Sequence, residues 1–170
     1  LFSLPLQQMK PRRSTKKKGR VLIATAVFRT PNVEGEVIAR PCNAGKGVDL
    51  FARFIRLPPG QHGFHIHKAG DMRQKDCSGL CEHFDKGRKP HRHGTYRSRE
   101  RHTGDLGNIS PSARIRNYCL PHVSVRELWG RSIIVHEGRD DGGKGGHEDS
   151  HTTGHSGARM ACAIFGRSAE

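Results

Sequence analysis

Histidine is the commonest protein ligand for transition metals, and this chain holds twelve, none of them before His62. His65 and His67 stand two apart in GFHIH, which reads as a short strand. Side chains at i and i+2 of a strand share a face, so both imidazoles can converge on one ion. Downstream, His83, His91, His93, His102 and Asp105 add donors. HTGD sets His102 and Asp105 three apart, a spacing that lets both reach one cation around a tight turn. His136 closes the run RSIIVH. Three imidazoles and a carboxylate suit tetrahedral Zn²⁺, whereas an all-imidazole set with an open position suits copper, which heads the Irving–Williams order. Counting ligands allows two ions.

Such donors need rigid elements to hold them, and the sequence offers strands. VLIATAVF (21–28), VEGEVIARP (33–41) and VDLFARFIRL (48–57) are rich in β-branched and aromatic residues and are separated by Pro-Asn and Gly-rich turn signals. Shorter runs follow at 63–67, 104–110, 113–116, 131–136 and 159–165. No segment sustains a 3.6-residue apolar period, so helices are expected to be short. Residues 68–103 and 137–158 are long polar, Gly-rich loops, and loops of that length are usually functional. The pattern predicts an all-β protein of about eight strands, a sandwich or barrel.

Composition narrows the rest. Thirty Lys and Arg against sixteen acids give a net charge of +14, and residues 1–20 carry seven of the basic groups with no acid. That stretch is expected to be a solvated basic arm (1–20) ahead of one domain (21–170), with weak association to nucleic acid or another polyanion through phosphate neutralisation. No stretch approaches the roughly 20 apolar residues that cross a bilayer, so no membrane partner is expected. Leu1–Leu6 is too short for a signal-peptide core, which disfavours secretion. Five cysteines, at 42, 77, 81, 119 and 162, leave at least one unpaired within a monomer.

GFHIHKAGD, CSGLCEHF, RHTGDLGN, VHEGRDDGGKGGHEDS and TGHSGARMACAIFG, in that order and with nearly the right gaps, together resemble the copper–zinc superoxide dismutase family of eukaryotic type. The resemblance spans roughly residues 24–166 and implies an eight-stranded Greek-key β-barrel with two long functional loops. It implies that His65, His67, His83 and His136 bind copper, with His83 bridging to zinc, and that His83, His102, Asp105 and one more histidine bind zinc. For that last ligand, His93 fits the downstream register and His91 fits the spacing from His83. Cys77 and Cys162 match the family's disulfide. Cys81 stands where the family usually has glycine, close enough in sequence for disulfide exchange, and Cys42 and Cys119 look like free or buried thiols. Arg159 matches the arginine that attracts superoxide, and Asp140 the carboxylate that joins a copper ligand to a zinc ligand.

The activity so implied is disproportionation of superoxide to dioxygen and hydrogen peroxide by Cu²⁺/Cu⁺ cycling, with His83 taking and returning a proton. The family also implies a homodimer and a cytoplasmic setting, and the unusual charge suggests a virion-associated or host-cytosol variant. Two other functions stand beside it. One is a non-enzymatic copper-binding or copper-delivery protein on the same scaffold; such relatives commonly lose copper ligands or the arginine, and this chain keeps them all. The other is polyanion binding by the arm.

Overall fold

The computed structural model describes residues 21–43, 46–87 and 91–168; the basic arm lies outside them. The strands are β1 (Ala24–Arg29), β2 (Glu34–Pro41), β3 (Gly47–Arg56), β4 (His62–His67), β5 (Asp105–Ile109), β6 (Ile115–Pro121), β7 (Ser132–His136), β8 (Arg159–Ile164) and β9 (Gly166–Arg167). They form two antiparallel sheets, ordered β6-β3-β2-β1-β9 and β5-β4-β7-β8. The chain makes a β1–β2–β3 meander, crosses for β4 and β5, returns as β6 beside β3, and crosses again to set β7 between β4 and β8. This is the expected eight-stranded Greek-key sandwich, with a two-residue ninth strand added beside β1.

Period-2 patterning makes the two faces. On β3, Val48, Leu50, Ala52 and Phe54 point inward while Asp49, Phe51, Arg53 and Ile55 are exposed. Facing residues from both sheets meet in one core. Phe54 packs against Phe28 at 5.6 Å and edge-on to Phe64 at 5.5 Å, so aromatic contacts tie the sheets together.

The expected strand at 113–116 is displaced. Pro111–Ala113 forms a single 3-10 turn, and the strand runs instead through β6, where Tyr118 and Leu120 point inward opposite Leu50 and Val48. Helices are as short as expected among the described residues: α1 (Val125–Leu128) and α2 (Ser150–Thr153), four residues each. Serine at position 124 starts α1 by a capping box with Glu127. None of these helices is long and apolar enough to cross a membrane.

The four-stranded sheet departs from simple alternation, because every residue of β4 and of β7 is buried. Phe64, Ile66, Ile133 and Val135 face the core. The opposite face is covered by the two long loops, and Ile134 there packs on Cys77 and Leu80 in a second small core. That covered outer face carries His65, His67 and His136.

Candidate metal centre

Strand spacing and loop closure bring their side chains into two overlapping groups. The ligating atoms of His65, His67, His83 and His136 all lie within 4.8 Å of one another, as do those of His83, His93, His102 and Asp105. His83 belongs to both. It reaches the cluster because its backbone bridges to His67 and because Phe84 N–H donates to the Ile66 carbonyl at 2.8 Å. His93 joins the second group, whereas His91 does not: its Nδ1 donates to Asp85 Oδ1 at 3.0 Å. His147, His151 and His155 are exposed.

Four ring nitrogens, His65 Nδ1, His67 Nε2, His83 Nε2 and His136 Nε2, are buried without a hydrogen-bond partner among the described residues, and His93 Nδ1 has only Asp105 Oδ1 beside it, at 3.1 Å. A buried polar atom left without a partner costs about 1–3 kcal/mol, and four in one place suit a bound cation. The other nitrogen of each ring is engaged. His67 Nδ1 donates to the Cys81 carbonyl at 2.8 Å and His136 Nδ1 to the Gly157 carbonyl at 3.2 Å. Asp140 accepts from His65 Nε2 at 2.9 Å and from His93 Nε2 at 2.8 Å, linking the two groups. These bonds fix each tautomer so that the inward nitrogen presents a lone pair. His83 Nδ1 meets Asp105 Oδ1 at 2.7 Å, so both of its nitrogens face the site.

Burial pushes the His65 and His67 imidazoles well below 6.5, and the neighbouring His83 pushes them further. Burial also lowers His83 and takes His136 to about 4. His93 goes the other way: burial works to lower it, but Asp105 and Asp140 outweigh that and raise it to about 9. Both carboxylates stay well below the usual range despite burial, held down by His102, His83 and His93 on Asp105 and by His65 and His93 on Asp140. The site is thus a set of mostly neutral imidazoles around two buried anions, a donor set that fits divalent transition metals.

Arg159 pairs with His136 across β7–β8, where the register shifts at His136. Its Nη1 donates to the Cys77 carbonyl at 2.6 Å and its Nη2 to the Cys81 carbonyl at 2.6 Å. Cys77 is disulfide-bonded to Cys162, so the loop that grips the arginine is itself clamped to β8. Cys81 adopts φ 60°, ψ −156°, a region that glycine occupies with ease.

Two supporting residues, Asn108 and Gly154, had no clear signal in the sequence. Asn108 donates from Nδ2 to the Asp140 carbonyl at 2.9 Å and accepts from Asp140 N–H at 2.8 Å, clamping that residue. Gly154, at φ +69°, leaves the space that a Cβ would take from Asp140 Oδ1 and His93 Nε2. His62 supports the backbone, its Nδ1 donating to the His136 carbonyl at 3.0 Å.

A Greek-key sandwich carrying six histidines and two carboxylates in overlapping donor groups on its loop-covered face defines a β-sandwich protein whose site is compatible with bound metal. The chain matches the copper/zinc superoxide dismutase (SODC) family over residues 33–165, and it belongs to that family. It is 41% identical over 120 residues to superoxide dismutase [Cu-Zn] 2 of Mesembryanthemum crystallinum, covering 67% of this chain and 75% of that one. It is 41% identical over 127 residues to a putative superoxide dismutase [Cu-Zn] of Orgyia pseudotsugata multicapsid polyhedrosis virus, covering 70% and 81%. It is also 44% identical over 116 residues to the rat copper chaperone for superoxide dismutase, but spans only 41% of that protein's length. Among solved structures, the clock protein EA4 superposes with a TM-score of 0.75 at 31% identity, covering 85% of this chain and 93% of that one.

Proposed function

We propose that this chain is a superoxide dismutase. His65 Nδ1, His67 Nε2, His83 Nε2 and His136 Nε2 hold copper; His83 Nδ1, His93 Nδ1, His102 Nδ1 and Asp105 hold zinc. The observation that carries the reading is the set of orphaned inward nitrogens with an arginine beside them. A bound copper ion supplies one-electron redox chemistry, with a bound zinc ion supplying fixed charge beside it. The protein supplies the rest. Arg159, fixed by loop carbonyls, draws in and orients a small anion. His83, with Nδ1 against Asp105 and Nε2 facing the other imidazoles, would be shared between the two donor groups and hold them in fixed relation. Two superoxide ions and two protons yield one dioxygen and one hydrogen peroxide.

The test is superoxide consumption by protein carrying one copper and one zinc per chain, against the metal-free protein. A loaded protein no faster than the metal-free one overturns the reading. A second reading, copper delivery, is favoured by the 44% identity to the rat chaperone; it gains support if the loaded protein passes copper to a metal-free dismutase while consuming no superoxide.

Two outcomes follow. Arg159→Gln is expected to slow superoxide consumption roughly ten-fold and to flatten its dependence on ionic strength, because positive potential sets the encounter rate of an anion. Stopped-flow rates across a salt series check it, and an unchanged salt slope would remove the arginine from steering. Asp140→Asn cannot accept from His65 and His93 together, so metal affinity is expected to fall about 10–100-fold, read by chelator competition.

A further inference from the structure

Across the molecule from the histidine cluster, three residues of the five-stranded sheet converge on its outer surface. Cys42 follows β2 and is fixed by its N–H donating to the Gly47 carbonyl at 3.1 Å. Asp49 on β3 and Cys119 on β6 are register partners whose side chains point away from the core. Cys42 Sγ lies 3.6 Å from Cys119 Sγ and donates to Asp49 Oδ1 at 3.0 Å. All three ligating atoms fall within 4.8 Å of one another. Two thiolates bound to one zinc at about 2.3 Å and a tetrahedral angle sit about 3.8 Å apart, close to the separation present here and far from the bonded distance of a disulfide.

We propose that Cys42, Cys119 and Asp49 form a second metal site, separate from the histidine cluster, that takes Zn²⁺ through two thiolates and one carboxylate. The carboxylate decides for zinc over monovalent copper, which prefers all-sulfur donors. The fourth position opens to water in a surface concavity of about 870 Å³ lined by Arg40, Asn43, Tyr96 and Asn117 beside the donors. The donors sit on a rigid frame. β6 is an edge strand, and the Tyr96 hydroxyl caps it by accepting from Cys119 N–H at 2.7 Å and donating to the Cys119 carbonyl at 3.1 Å. Zinc binds cysteine sulfur as thiolate, so zinc entry releases protons to solvent and affinity rises with pH.

Co²⁺ is the probe, added to full-length protein whose thiols are reduced, whose Cys77–Cys162 disulfide is intact, and whose histidine cluster is already filled with copper and zinc. None of the residues gathered in that cluster is a thiolate, so a thiolate-to-cobalt charge-transfer band reports on cysteine alone. The expected result is one such band per chain, displaced by Zn²⁺, lost in both Cys42→Ser and Cys119→Ser, and kept in Cys81→Ser. Bound zinc then counts one higher per chain than the filled cluster accounts for. Absence of the band, its loss in Cys81→Ser, or retention of added Cu⁺ against excess Zn²⁺ each overturns the assignment. So does a thiol titration that finds one free thiol where the structure has three, at Cys42, Cys81 and Cys119, since the pair would then be oxidised.

Discussion

Cys162→Ser is expected to lower the thermal midpoint of the metal-free protein by on the order of 10 °C. The disulfide joins residues 85 apart in sequence. The chain-entropy relation for a loop of that length gives roughly 4.5 kcal/mol, and about 2–4 °C accompanies each kcal/mol in a domain of this size. A second consequence is local. The bond clamps Cys77 to β8, and the carbonyls of Cys77 and Cys81 grip the Arg159 guanidinium. Releasing the loop therefore loosens the arginine, and superoxide consumption is expected to fall in the same variant even below its unfolding temperature. Calorimetry and rate measurements at one temperature separate the two effects. A midpoint that moves by less than about 3 °C would mean that other contacts already hold the loop.

Much of this arrangement was legible because it follows from period and spacing. GFHIH is readable as a strand with two imidazoles on one side and Phe64 and Ile66 on the other, and the structure divides it that way. The sandwich was legible for the same reason. The position of β6 was not, because Tyr118 and Leu120 are the only buried positions in a strand whose other five residues are exposed, so its alternation is faint. Sequence spacing favoured His93 by its downstream register but kept His91 as an alternative. What separates them in the structure is Asp85, which takes the His91 ring, and Asp140, which takes the far nitrogen of His93 and turns the near one inward. Neither contact has a local sequence signature, since the partners of His93 lie 47 and 12 residues away. The Cys81 and Gly157 carbonyls that fix two tautomers are backbone groups, and any residue type supplies a carbonyl. The cysteine pair at 42 and 119 was silent too, because only the β3 register brings residues 77 apart into contact.

Acidification of the metal-free protein is expected to destabilise it well before its carboxylates titrate. His65, His67, His83 and His136 are all held below the ordinary imidazole value of 6.5, first by burial. In each case the unfolded chain binds the proton more readily than the folded one. Stability is therefore fully present above pH 6.5 and is lost as pH falls toward the folded values, about 4 for His136. That one ring accounts for on the order of 3 kcal/mol across the window, because each pH unit between the unfolded and folded values is worth about 1.4 kcal/mol. His93 opposes only in another range. Its value is raised to about 9, so its contribution is intact below pH 6.5 and is lost on going alkaline. Asp105 and Asp140, held low, contribute above the usual carboxylate range and do not weaken until pH falls below about 4. Between pH 6.5 and about 5 the buried imidazoles dominate, and below that Glu127, held down to about 2 by Lys86, adds to them in the same direction. Urea midpoints of the metal-free protein at pH 7 and pH 4.5 should differ strongly, with net proton uptake on unfolding at the lower pH. Metal should abolish most of the difference near neutrality, because a cation on the inward lone pairs takes the place of the protons those nitrogens would bind. A metal-free protein equally stable at both pH values would mean that the inward nitrogens are open to solvent, and the metal centre inferred from their burial would lose its basis.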